Sequence, residues 1–264
     1  MEKIPLPTTL SITEGENPLK ATITMEPCYP GYGTTIGNAI RRHLFTSLSG
    51  AAVVGFKIKG VQHEFSAIPN VKEDAVEISL NLKLLRLKVF TDKQVRLSLK
   101  ATGEKKIYAK DIASNSDVEI INKDHYIATL TDKKSNLEIE IIVSQGRGYS
   151  PTEEREQEEL EAGIIAIDSN FSPIEKVGFR VENVRVGQMT NWDKLIIDIT
   201  TDGTLAPKEA LHEAVKDLLD HFTFIEQKIS VPQEHEDKKS ETELPVEEKR
   251  KKRKSKKIEI PAIE

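Results

Sequence analysis

Only one cysteine, Cys28, occurs in the 264 residues. A single thiol cannot close an internal disulfide or build a cysteine-based zinc site, so disulfide-scaffold and zinc-finger classes are excluded and a reducing compartment fits. Long apolar runs are missing too. Nothing approaches the ~18 apolar residues of a membrane-spanning helix, and the opening Met1-Glu-Lys-Ile-Pro5 has no signal-peptide core. Positive charge is not in excess: the chain carries a formal −5, and residues 1–231, with 28 basic and 34 acidic groups, stand at −6. The main body is therefore no basic nucleic-acid binder. The six histidines, at 43, 63, 125, 212, 221 and 235, form no His-x-x-x-His pair. No Asp-x-Asp cluster offers a magnesium site, and no Ser/His/Asp spacing suggests a nucleophile. No catalytic machinery, metal site or cofactor site of its own is legible, and no internal repeat is visible.

What is present is a clear division of patterns. Residues 21–25 alternate like a strand, and Pro27, Pro30, Gly31 and Gly33 then break the chain. Ile36, Ile40, Leu44 and Leu48 recur at four-residue spacing, which predicts a helix capped by Thr34 or Thr35 and ended by Gly50. Gly37 inside it costs ~1 kcal/mol relative to alanine and implies close backbone packing. Residues 51–149 read mostly as strands: 53–59, 88–91, 95–100, 106–108, 118–121, 126–130 and 137–143. The stretch Val71–Leu85 fits both periods; Asn70 or Glu73-Asp74 suits an N-terminus, which favours a helix. Thr152–Glu161 is acidic and reads as an exposed loop. Val177–Val186 and Lys194–Thr201 alternate and pair as a hairpin. Pro207 opens a last helix whose Leu211, Val215, Leu218, Phe222 and Ile225 step by 4, 3, 4 and 3, a heptad seam.

These patterns imply an α+β fold of two subdomains. Residues 1–49 and 176–231 form one, discontinuous and carrying both helices; 50–175 form an inserted β-rich unit; 232–264 form a charged, disordered tail. The seam is wider than one small subdomain needs, so a homodimer contact through helices 36–48 and 208–226 is expected, with Ile36, Ile40, Leu44, Leu211, Val215, Leu218 and Phe222 in it.

Gly31-Tyr-Gly33-Thr-Thr-Ile-Gly37 follows a strand and opens a helix, as a phosphate-binding turn would. Its third glycine comes one residue late, and the next acidic residue after the helix, Glu64, is too distant for a ribose contact. A homodimeric small-molecule enzyme using this turn is the alternative reading. A third reading rests on Lys249–Lys257, eight basic residues in nine. It could touch phosphate backbone weakly and without sequence preference, but no interleaved aromatics support base stacking.

Six collinear segments resemble the bacterial-type RNA polymerase alpha subunit in its N-terminal assembly region: Gly31 to Arg42, Gly60-Val-Gln-His-Glu-Phe-Ser66, Val71-Lys-Glu-Asp through Leu80-Asn-Leu-Lys83, Gly146-Arg-Gly-Tyr149, Phe171 through Val186, and Asp193 through Thr204. Each is weak alone; in this order over residues 20–227 they are specific. The resemblance implies a homodimeric, non-catalytic platform for the beta and beta-prime subunits of a nucleotidyltransferase, in a bacterial cytoplasm with the nucleoid, or in a plastid. DNA would be met mainly through the complex. It further implies that Arg42, the second arginine of Asn38-Ala-x-Arg-Arg, contacts beta, and that Glu77, Lys83, Ile167 and Ser172 contact beta prime. The family's usual C-terminal DNA-binding domain has no counterpart in 232–264, so promoter recognition is not expected of these residues.

Overall fold

The computed structural model describes residues 3–155 and 163–230. It parts into two compact units, Met1–Phe224 and Ile225–Glu264; the described part of the second is the helix end at 225–230. The charged tail and most of the acidic loop expected at 152–161 lie outside the described residues. In chain order the elements are β1 (Thr9–Glu14), β2 (Lys20–Cys28), α1 (Tyr32–Thr46), β3 (Ser49–Ile58), α2 (Ala75–Lys83), β4 (Leu87–Val89), β5 (Val95–Thr102), β6 (Lys105–Tyr108), β7 (Val118–Ile120), β8 (Tyr126–Leu130), β9 (Asn136–Arg147), the short β10 (Tyr149–Ser150), β11 (Ile165–Ala166) and β12 (Ser169–Asn170), β13 (Ile174–Val186), β14 (Met189–Thr201) and α3 (Pro207–Ser230). The class is α+β.

The first sheet runs β1-β2-β14-β13, all antiparallel. Alternation puts one apolar row after another on a single face. Leu10, Met25, Leu195 and Val181 stand opposite one another across the four strands; Ile12, Ile23, Ile197 and Phe179 form the next row. α1 packs on β13 and β14, and Ile40, Leu44 and Leu48 join Ile23, Leu195, Ile197, Ile199, Ala210 and Ala214 in one core. Gly37 is the point of closest approach. A Cβ there would lie 2.6 Å from Phe179 Cδ2 and 2.9 Å from Leu195 Cδ1, so the helix-propensity cost of glycine secures close packing on the sheet.

The second sheet runs β5-β9-β3-β4-β7, with β11 also on β3 and the β6-β8 ribbon separate. Its core takes the inward side chains of Phe56, Leu97, Leu99, Leu137, Ile139 and Ile141, and α2 covers it with Ala75, Ile78 and Leu82. The helical alternative for 71–85 holds: Ile78 and Leu82 are buried while Leu80 and Leu84 are exposed, which a strand would have placed together. Asp74 is the N-cap, its Oδ1 accepting the Glu77 amide at 2.7 Å.

Several expectations are corrected. α1 starts at Tyr32, with Gly31 rather than a threonine at its N-cap, and closes at Ser47 rather than Gly50. Gly50 lies inside β3, where a Cβ would meet the Phe171 carbonyl oxygen at 1.9 Å. β1 was not expected from the sequence. It is an edge strand with five of its six residues exposed, so no strong buried period marks it. Among the described residues of 152–161, Thr152–Arg155 form a 3-10 turn. No helix among the described residues is long and apolar enough to cross a membrane.

Candidate partner-docking surfaces

The glycine turn is sealed. Asp193, a buried residue of β14, places Oδ2 2.9 Å from the Gly31 amide and 3.0 Å from the Gly33 amide. A carboxylate thus occupies the place where a phosphate would meet the positive end of α1. A Cβ on Gly33 would come within 3.0 Å of Asp193 Oδ2. This geometry does not support the enzyme reading: the amides are used, Gly33 and Gly37 serve helix-to-sheet packing, and Gly31 turns the chain at φ 86°. Among the described residues no group of three or more His, Cys, Asp or Glu could hold a metal ion.

α1 and α3 meet where His43 Nε2 lies 3.2 Å from Asp217 Oδ2. The seven residues expected at a dimer contact fall into two sets. Leu44 and Ile40, at 0% and 8% exposure, are used by the chain's own core, and Ile36, Leu211 and Leu218 are partly buried against it. Val215 and Phe222, with Leu219 beside them, are 44%, 61% and 62% exposed. At ~100° per residue this second stripe lies roughly 130° around α3 from Ala210 and Ala214, which are fully buried. Arg42 sits exposed near the C-terminal end of α1, and no ion pair engages its guanidinium among the described residues.

The other four expected contact residues lie on and around α2. Glu77 is exposed in its first turn, and Lys83 is its last residue. Lys83 Nζ lies 3.5 Å from Asp168 Oδ2 and 5.5 Å from the centre of the Tyr149 ring. Asp168 Oδ1 accepts the Thr152 amide at 2.9 Å and the Thr152 hydroxyl at 3.2 Å. The Thr152 amide, with smaller help from the Tyr149 and Thr152 hydroxyls and from Lys83, holds the Asp168 carboxyl below its ordinary range, although burial opposes this. The Tyr149 hydroxyl is raised, first by its hydrogen bond to Asp168 and then by burial. Ile167, next to Asp168, is buried in the β-rich core, where its side chain offers packing rather than surface. Ser172 is half-buried, and its hydroxyl accepts the Ile174 amide at 3.3 Å.

Reading the sequence alone missed Asp168, Tyr149 and the capping role of Asp193. Their contacts with Lys83 of α2 and with the start of α1 span 66 to 162 residues of sequence separation, and no local spacing encodes such a contact. α2 itself is fixed from behind. The buried Glu73 accepts the Tyr126 hydroxyl and, at 2.6 Å, the Thr129 amide, and Asn81 Nδ2 donates to the Ile127 carbonyl at 2.9 Å.

Residues 56–172 match the family model described as the RNA polymerase Rpb3/RpoA insert domain. Among curated relatives, the DNA-directed RNA polymerase subunit alpha of Alkaliphilus oremlandii is 43% identical over 235 residues, 85% of this chain and 73% of that one. The corresponding subunit of Oceanobacillus iheyensis is 39% identical over 94% of this chain and 81% of its own length. That of Aquifex aeolicus is 45% identical, covering 80% and 68% respectively.

Proposed function

Because the chain belongs to the family of DNA-directed RNA polymerase alpha subunits, we propose that it works as a homodimer on which the beta and beta-prime subunits assemble. It is a non-catalytic subunit of a nucleotidyltransferase; the chemistry of RNA synthesis belongs to other chains of the complex. The observation that carries the dimer is the second stripe of α3. Val215, Leu219 and Phe222 leave apolar surface uncovered on a helix already anchored by Ala210 and Ala214, and a two-fold contact would bury the same patch on both copies. The two hydrophobic cores, one drawn from 21–48 with 174–218 and one from 51–167, support a division into a dimerisation subdomain (1–49 with 176–231) and an inserted β-rich subdomain (50–175).

In this reading Arg42 docks beta, as an exposed arginine near a helix end with no competing ion pair among the described residues. Glu77 and Lys83 dock beta prime, Ser172 borders that contact, and Ile167 acts through packing behind Asp168. The test is reconstitution of the full chain with purified beta and beta-prime subunits. Sedimentation should give a dimer that captures both. Arg42→Ala should keep the dimer and its melting temperature while weakening beta capture by ~2 kcal/mol or more, as an interface hot spot does. Unchanged capture overturns the role of Arg42, and a monomer that still assembles overturns the platform reading.

A further inference from the structure

The outward face of α2, together with its C-cap residue Leu84, carries two large apolar side chains that the chain's own core does not use. Leu80 is 57% exposed and Leu84 52%. At ~100° per residue, Glu77, Leu84, Leu80 and Lys83 follow one another around the helix within an arc of roughly 120°. Ala75, Ile78 and Leu82 are buried on the opposite side. Two leucines are thus flanked by a carboxylate on one edge and an ammonium on the other. An apolar centre with a charged rim is the anatomy of a docking patch.

Two further features bear on what covers it. The patch is preorganised: the Asp74 cap, the buried Glu73 contacts and the Asn81 bond to β8 hold α2 on the sheet. Little ordering cost would remain at binding. The rim is also electrostatically lopsided. Lys83 is answered by Asp168 within the chain, whereas among the described residues no lysine or arginine pairs with Asp74 or Glu77. A partner that buries the leucines therefore gains by bringing a cation to the first turn of α2.

We propose that Leu80 and Leu84 are the apolar anchor of beta-prime docking, received by an apolar surface of that subunit with a basic side chain opposite Glu77. This rests on the reading of α2 as the beta-prime site. Glu77 and Lys83 become rim groups that set register, and the leucines supply the binding energy.

The experiment compares full-chain variants in reconstitution with purified beta and beta-prime subunits, reading the concentration at which half the beta prime is captured. Glutamine has a helix propensity near that of leucine, so Leu80→Gln and Leu84→Gln should leave α2 and the melting temperature unchanged. The double variant should weaken beta-prime capture by about thirty-fold, the scale of a hot spot, with beta capture and dimerisation unaltered. Charge reversal at Glu77 and Lys83 should weaken capture less and make it depend on salt. Unchanged capture by the leucine double variant overturns the proposal. If the charge reversals alone then weaken capture, the site reading survives without the leucine anchor. If neither set has an effect, the beta-prime reading of α2 fails as well. Equal loss of beta and beta-prime capture would also overturn the proposal, since the anchor is assigned to one subunit.

Discussion

The two hydrophobic cores of the chain differ in how completely they close. Among the described residues the β-rich core of 53–167 buries 28 apolar side chains, against 13 in the core shared by α1, α3 and the four-stranded sheet. The larger core is enclosed by strands on several sides and by α2. The smaller one is a helix layer on one face of a sheet, and its last helix turns a second apolar stripe outward. The first core is closed by its own strands and helix, and the apolar surface beside it is confined to single side chains such as Leu80 and Leu84, whereas the helix of the second turns a whole apolar stripe outward that association would cover. The same residue type therefore means different things in the two places. Leu82 is a core residue on a helix that closes its sheet, and Leu219 is surface on a helix that does not.

The sharpest way to test this contrast is to empty a site in each region. Phe56 is fully buried in the β-rich core, so Phe56→Ala should cost about 3–5 kcal/mol. That loss should appear as a lower melting temperature with the same shift at every protein concentration. In the proposed dimer Phe222→Asp should act the other way, leaving each copy folded and separating the two copies. Burying one such side chain is worth roughly 1.5–3 kcal/mol, and a two-fold contact loses it twice. Sedimentation should show monomer at concentrations where the parent is a dimer. An intact Phe222→Asp dimer would show that the outward stripe of α3 is not the contact, and the contrast would disappear.

How much of this was legible in the sequence follows from where the information sits. Periods are local, so the helical stripe of Ala75, Ile78 and Leu82, the alternation of Leu137, Ile139 and Ile141, and the 211-to-225 seam could all be read. What the periods could not say is which apolar residue finds cover. Ile40 and Leu44 belong to the four-residue series expected to share the dimer contact with the 211-to-225 seam, yet they are buried in their own core. Phe222, about four turns into another helix, is not. The capping of α1 was equally hidden. A threonine at 34 or 35 is the local candidate, but the amides of Gly31 and Gly33 are taken by Asp193, which the hairpin carries back from the other end of the chain.

Asp193 gives a smaller, third test. Asp193→Ala removes the acceptor of two amides at the start of α1, and loss of such a cap costs about 0.5–2 kcal/mol. α1 belongs to the open region, so the variant should also weaken dimerisation, which no equivalent cap lesion in the β-rich unit should do. Asp74→Ala on α2 is the matched control. It should lower the melting temperature by a similar amount while the sedimenting species stays a dimer.

The smallest expected effect lies at the edge of the closed region, at Asp168. Its carboxyl is held below the ordinary range chiefly by the Thr152 amide, so the folded state favours the ionised form. The stabilisation is fully present above the unfolded carboxyl pKa of ~3.9. It is lost as pH falls through the lower, folded value, because protonation then costs the native state its hydrogen bonds. Asp168→Asn should therefore lower stability at neutral pH slightly and lessen the difference from the parent on the acid side of pH ~4. The group is partly open to solvent, with Lys83 and Asp168 side chains 31% and 37% exposed, so screening keeps the effect small. Lys83→Met separates the two causes. The amide is the larger one, so this variant should retain most of the acid-side dependence, and added salt should change it little. Were Lys83→Met to abolish that dependence as fully as Asp168→Asn, the exposed ion pair and not the Thr152 amide would be what ties this corner of the β-rich unit to α2.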